Sequence, residues 1–303
     1  MASRRDIEAG RAYIVIDVVD KSAKKMKQVS FNMARFGRSV QRMGMQMMAT
    51  GTAMTLPLIN AINEAKNFDT QIRLVAATMD RSLASIGKLT DRIKQLGRTT
   101  SFTATEVAEA AKMLARGGFE EADILSKNML EAVLNLARAA EISMAEAATI
   151  ISKTSKVFEK EGLNSVQIAD KIFTAATSAT TNVAELGSAL SFASGTAAQL
   201  NLSLDETLGI LAHLSDGMLQ ATKGGTSFNN VLNTLARKKN KMNEIFGINM
   251  DEMDSLQQIF LIMQGQLKGM SAMGRISALG EIFDLRANRA VVRMLADVEG
   301  MYK

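Results

Sequence analysis

Phe102-Thr103-Ala104-Thr105-Glu106-Val107 is the stretch from which the fold of this chain is read. A hydroxyl at Thr103 can accept the backbone N–H of the third residue of a new helix, while Glu106 reaches back to the N–H of Thr103. Phe102 and Val107 add a hydrophobic staple across the same turn. The spacing returns at Ser143/Glu146, Asn164/Gln167, Asn182/Glu185, Ser203/Glu206 and Asn249/Glu252. Leu163/Ile168, Ile248/Met253 and the weaker Ile142/Ala147 repeat the staple. Each match marks an expected helix start.

Working outward, helices are predicted near 65–79, 82–97, 104–116, 120–140, 144–159, 165–179, 183–199, 204–220, 226–246, 250–268 and 271–297. Gly97, Gly117/Gly118, Gly162, Gly224/Gly225 and Gly247 stand between them as caps or turns. In the segment from 120, Leu125, Met129, Ala132, Val133, Leu136 and Ala140 share one face, which demands a common core. Capping signals at 103, 143 and 182, with others at 164 and 203, resemble the step of helix-hairpin repeats. The side chains within those steps do not align, so a compact bundle is preferred to a solenoid.

Composition agrees. Hydrophobic residues make up 47% of the 303 residues, enough for a buried core, and Ala, Leu and Met carry that load while aromatics are 5%. Unbranched side chains lose little rotamer freedom in a helix. The expected class is all-α, a multi-helix bundle of short antiparallel helices. Absence of cysteine excludes disulfides and thiolate metal sites, and the single His213 cannot supply a multi-histidine cage. No basic segment followed by an apolar run and a cleavage site begins the sequence, so a cleaved signal peptide is not expected.

The N-terminal part reads differently. Tyr13 to Val19 is a β-branched run suited to one short strand, which needs a partner from another copy or another protein. From Ser22, Met26, Val29, Met33, Phe36 and Val40 recur every three or four residues along an amphipathic arm. Residues 1–48 hold ten Lys/Arg against four Asp/Glu, so the whole net charge of +5 is placed there. Such a segment attracts nucleic acid, anionic lipid or an acidic protein wall, or is simply a solvated helix face; charge alone specifies none of them. Residues 43–63 are 21 uncharged positions rich in Met, near the ~20 residues that cross a bilayer. Polar Gln46, Thr50, Thr52, Thr55, Asn60 and Asn63, with Pro57, weigh against a constitutive span; a helix packed on identical neighbours explains Gly44, Gly51 and the small residues equally well, and conditional insertion stays open. The expected division is a basic amphipathic assembly arm over 1–64, containing the uncharged segment 43–63, and a helical domain over 65–303.

No constellation points to catalysis. Glu106, Glu146, Glu185 and Glu206 each occupy a capping position, which explains them locally. His213 between Leu211 and Leu214 reads as a structural histidine. Lys223-Gly224-Gly225-Thr226-Ser227 is rich in glycine but lacks the phosphate-loop spacing and a preceding strand, and reads as a glycine turn between helices. Arg237-Lys238-Lys239-Asn240-Lys241 has no interleaved aromatics and reads as an exposed helix end. Catalytic, cofactor-binding and metal residues are therefore all expected to be none.

Four motifs in order carry a resemblance: Glu64-Ala65-Lys66-Asn67-Phe68-Asp69; Thr99-Thr100-Ser101-Phe102-Thr103-Ala104-Thr105-Glu106-Val107-Ala108-Glu109-Ala110 leading to Leu114-Ala115-Arg116-Gly117-Gly118-Phe119; Leu202-Ser203-Leu204-Asp205-Glu206-Thr207-Leu208-Gly209-Ile210-Leu211-Ala212 followed by Gly224-Gly225-Thr226-Ser227-Phe228; and Ile282-Phe283-Asp284-Leu285-Arg286-Ala287. Together they resemble the N-terminal module of the TP901 family of phage tail tape measure proteins, which usually has Gly where Asp284 stands. The resemblance implies a non-enzymatic structural protein made in the host cytoplasm and housed in the lumen of the virion tail tube, setting tail length and leaving ahead of the genome. It implies partners too: the major tail tube protein, tail assembly chaperones and distal tail proteins. Beside it, self-association is expected, with genome contact through the basic arm and host membrane contact on ejection. One unbroken helix of this length would reach only ~450 Å, so a truncated, processed or short-tail form is implied. The alternative is a membrane-active, pore-forming helical protein acting through residues 43–63.

Overall fold

The computed structural model of the protein describes residues 55–302, apart from 220 and 254. Backbone proximity divides the chain into Met1–Lys66 and Asn67–Lys303. The strand expected at 13–19, the arm from 22 and residues 43–54 of the uncharged segment lie outside the described residues. Fourteen α-helices and two 3-10 turns, Glu159–Glu161 and Gly300–Tyr302, make up the described chain, and no strand occurs among the described residues. The all-α expectation holds. In order the helices are α1 Thr55–Thr78, α2 Gly87–Thr99, α3 Ala104–Arg116, α4 Glu121–Ser126, α5 Met129–Ala139, α6 Met144–Val157, α7 Ser165–Thr177 and α8 Val183–Gln199. They continue as α9 Leu204–Asp216, α10 Ala221–Arg237, α11 Lys239–Phe246, α12 Leu256–Lys268, α13 Ala272–Ile282 and α14 Leu285–Ala296.

Five of the six capping signals start helices. Thr103, Asn164 and Ser203 form complete boxes; at α3 the Thr103 hydroxyl accepts the Glu106 N–H at 3.2 Å and Glu106 accepts the Thr103 N–H at 2.7 Å. Ser143 and Asn182 accept the N–H of Glu146 and Glu185, but Glu185 turns to the Thr181 hydroxyl instead of closing its box. The sixth signal fails. Asn249 donates its amide to the Glu252 carboxylate at 2.6 Å and accepts the Asp251 N–H, so the pair closes a turn in itself. Helix α12 begins later, where Ser255 accepts the N–H of Gln258 at 3.2 Å.

Three long predicted helices are each two. The 120–140 segment breaks at Asn128, which takes the left-handed conformation that asparagine tolerates; the turn lets Ile124, Met129 and Leu130 all reach the core. The 226–246 segment runs instead as α10 and α11, parted at Lys238. The 271–297 segment breaks at Phe283, buried in extended conformation, and Asp284 then caps α14 by accepting the N–H groups of Arg286 and Ala287. Smaller shifts have local causes. Ser82 to Ser85 form a turn, so α2 starts at Gly87 rather than 82. Helix α1 is already helical at Thr55, ahead of the expected start at 65.

From α5 to α8 every helix packs on the next and on the next but one. The caps at 143 and 182, and those at 164 and 203, start helices two apart in sequence that lie side by side, while those at 103 and 143 start α3 and α6, three apart and also in contact. A continuous hydrophobic core runs through the stack. At one point the stack admits no side chain at all. Gly224 and Gly225, read from sequence as a turn, lie in the first turn of α10, and a Cβ on Gly225 would fall on the Ala189 carbonyl of α8, 2.8 Å from the Ala189 Cα. Backbone meets backbone there. Farther along the same pair of helices, the Thr196 hydroxyl donates to Asn229 Oδ1 at 2.6 Å, and Asn233 donates to that same oxygen. Helix α14 then returns to pack on both α9 and α10.

Gly225→Ala is expected to destabilise the protein by ~1–3 kcal/mol through forced backbone displacement, although alanine in a free helix gains ~1 kcal/mol over glycine. Gly195, exposed in α8 with nothing within 4 Å of its virtual Cβ, supplies the opposite case: Gly195→Ala should raise stability by up to ~1 kcal/mol. Urea unfolding midpoints of the two variants check both signs.

Candidate interaction surface

The residues that could have carried chemistry are spent on structure. Glu106 and Glu206 close capping boxes, Glu146 and Glu185 contribute the capped N–H groups, and the structure does not bring the four together. His213 is buried near the end of α9, with Nε2 3.3 Å from the Arg293 carbonyl, while Arg293 Nε reaches back to the His213 carbonyl at 3.4 Å. That reciprocal pair ties α9 to α14. In the basic run after Ala236, Lys238 donates to the carbonyls of Ile282 and Glu281 at the end of α13, and Lys239 pairs with Asp251. A cation at a helix C-terminus also meets the negative end of its dipole. Among the described residues, no cluster of three or more His, Asp or Glu is placed to hold a metal ion.

Carboxylates do further work that sequence spacing hides. Glu121 of α4 accepts the Leu89 N–H in the first turn of α2 at 2.8 Å, and Glu161 accepts the Leu204 N–H at the start of α9 at 2.7 Å. Each satisfies a donor that the helix itself leaves open. Lys171 and Asp205 join α7 to α9 at 2.5 to 2.7 Å. Burial, with a smaller contribution from the Glu206 carboxylate, pushes the Tyr302 phenol well above the usual phenol range.

What remains unsatisfied is a surface. A groove of about 1010 Å³ lies between α12, α13 and α14 and is floored in part by Gly217 and Leu219. Ile276 and Leu279 of α13 face Leu285, Val292 and Leu295 of α14 across it, with Leu267 of α12 at one side. Leu285 is 85% exposed, Ile276 62% and Val292 55%, and Met273 on α13 is 74% exposed. A surface helix needs one apolar stripe; α14 has two. Ala287, Ala290, Val291 and Met294 are buried, while Leu285, Val292 and Ala296 fall within ~40° of one another on the opposite side at 100° per residue. The groove carries Lys268, Arg275 and Arg289 and no carboxylate. None of the three cations has an ion-pair partner among the described residues. The second stripe was present in the sequence, but reading 271–297 as one helix hid the register in which it emerges.

The sequence model of the phage-related minor tail protein family matches residues 90–284. A tape measure protein of Pneumococcus phage Dp-1 is 25% identical over 195 residues, covering 63% of this chain and 17% of that protein. A probable tape measure protein of Escherichia phage P2 is 23% identical over 220 residues, covering 73% of this chain and 26% of that protein. The aligned region thus spans roughly a sixth to a quarter of the length of these relatives. No solved structure matches the chain.

If Glu206 acts only as a cap, glutamine should replace it, since Gln167 already closes an identical box at α7. Glu206→Gln is expected to change stability by less than ~0.5 kcal/mol, whereas Ser203→Ala should cost ~1 kcal/mol. Thermal and urea unfolding of the two variants measure the difference.

Proposed function

The chain belongs to the phage-related minor tail protein family, and on that premise we propose that it is a tape measure protein, or the N-terminal module of one, that occupies the tail tube lumen and takes part in tail assembly. The observation that carries this reading is the similarity of most of the chain to two tape measure proteins of phages, together with a helical body in which Glu106, Glu206, Glu121 and Glu161 serve helix starts. Residues 65–303 are the helical domain in this reading, and residues 1–64 are the assembly arm through which copies associate. The protein contributes in this way to length determination and to genome ejection. Folded helices stacked side by side reach far less than the ~450 Å of one extended helix, so the described helical body adds little reach of its own. The partners we propose are the major tail tube protein, the tail assembly chaperones and distal tail proteins, with genome contact through the basic arm and membrane contact on ejection.

The membrane-active alternative has less support. Family membership points to tails, and among the described residues no helix is long and apolar enough to cross a membrane. Helix α1, which contains the end of the uncharged segment, continues into Glu64, Lys66 and Asp69.

Two measurements test the proposal. Phage carrying Gly225→Leu, which breaks the α8–α10 contact, is expected to yield filled heads without tails by electron microscopy; tails of normal length and number would overturn it. Light scattering after size exclusion should show self-association that deleting residues 1–64 weakens, and a strictly monomeric full chain would remove the assembly role of the arm.

A further inference from the structure

We propose that the groove between α12, α13 and α14 is a docking site for an amphipathic helix of another protein that bears carboxylates along its flanks. Three observations lead there. The groove presents Ile276, Leu285 and Val292 to solvent in a concave surface of about 1010 Å³, although α13 and α14 already bury a full apolar face each. Exposed apolar surface with a polar rim marks a site of interaction. Its walls are helices whose backbone groups are satisfied internally, so no strand edge is available and an extended peptide would bury its own N–H and C=O groups unpaired. A helix brings its backbone bonds with it and needs only side-chain contact, at i, i+3, i+4 and i+7.

Charge selects the flanks. Lys268, Arg275 and Arg289 line the groove without an acidic neighbour in the lining or an ion-pair partner among the described residues. Cations held together in a concave site repel one another until an anion arrives, and complementary rim charge chiefly fixes partner choice and on-rate. The same charge disfavours the chain's own arm as occupant, because residues 1–48 carry ten basic against four acidic side chains. Concavity disfavours a membrane, whose headgroup surface would reach the rim but not Leu279 or Leu295 in the walls.

The test uses the full chain and a fluorescein-labelled peptide of ~18 residues with Leu on one helical face and Glu on both flanks, beside a twin in which every Glu is Lys. Fluorescence anisotropy should show saturable binding of the acidic peptide at least ~tenfold tighter than its twin, with the margin narrowing at high salt. Ile276→Asp and Leu285→Asp, both at exposed positions, should each weaken binding by ~tenfold or more, with unchanged thermal unfolding showing that the fold is intact. The double variant Arg275→Glu/Arg289→Glu should invert the preference toward the Lys peptide. Equal binding of the two peptides, no saturable binding of the acidic one, or charge reversal without effect would overturn the proposal. So would light scattering that shows a dimer abolished by Leu285→Asp, which assigns the groove to a second copy. Binding to phosphatidylglycerol vesicles through these residues, with no peptide preference, overturns it in favour of lipid.

Discussion

The crossing of α8 and α10 at Ala189 and Gly225 leaves no space for a methyl group, and this contact fixes the position of the elements around it. Two 17-residue helices held backbone to backbone form the most extensively packed pair among the described helices. Helix α9 lies against both, and α14 closes onto α9 and α10. Small residues are required because any side chain would push the axes apart and withdraw the support on which α14 rests. Gly187 has a related duty on the other side of α8, where the Ile150 side chain of α6 lies within 2.7 Å of its virtual Cβ. Helix α8 thus meets close neighbours on two sides, through its own Gly187 on one and through Gly225 of α10 on the other.

Around that contact the molecule spends its polar groups on helix ends. Side-chain caps from Thr103, Ser143, Asn164, Asn182, Ser203, Ser255, Ser271 and Asp284 satisfy donors within their own helices. Glu121, Glu161 and Asp216 satisfy donors elsewhere in the fold. Lys238 does the converse for carbonyls at the end of α13. A short helix leaves as many open ends as a long one, so a chain built from many short helices must use a large share of its Ser, Asn, Asp and Glu in this way.

The fold class and most helix starts were legible in the sequence because a capping box is local: four consecutive residues contain the donor, the acceptor and the spacing. Five of six such signals hold. Asn249/Glu252 fails because its two side chains bond to each other, which spacing alone cannot distinguish from a box. Gly224 and Gly225 were misread because glycine has two uses, conformational freedom and lack of volume, and only the position of Ala189 in space tells which is in force. The breaks at Asn128, Lys238 and Phe283 depend on tertiary demands likewise invisible along the chain, although Ser255/Gln258 and Asp284 carried legible caps. Family character was readable from the order of the motifs. The groove was not: it depends on α12, α13 and α14 meeting at a register that begins only with the break at Phe283.

Packing each helix on its two successors has a mechanical corollary. Between α5 and α10 an element that detaches withdraws support chiefly from those beside it, so the order of contacts follows the order of the chain. Helix α14 interrupts that order, since it is clasped to α9 through Arg293 and His213 although four helices separate the two in sequence. Pulling from that side must detach both the 3-10 turn Gly300–Tyr302 from α9 and this clasp, so the C-terminal end is held to the middle of the body rather than only to its neighbour in sequence.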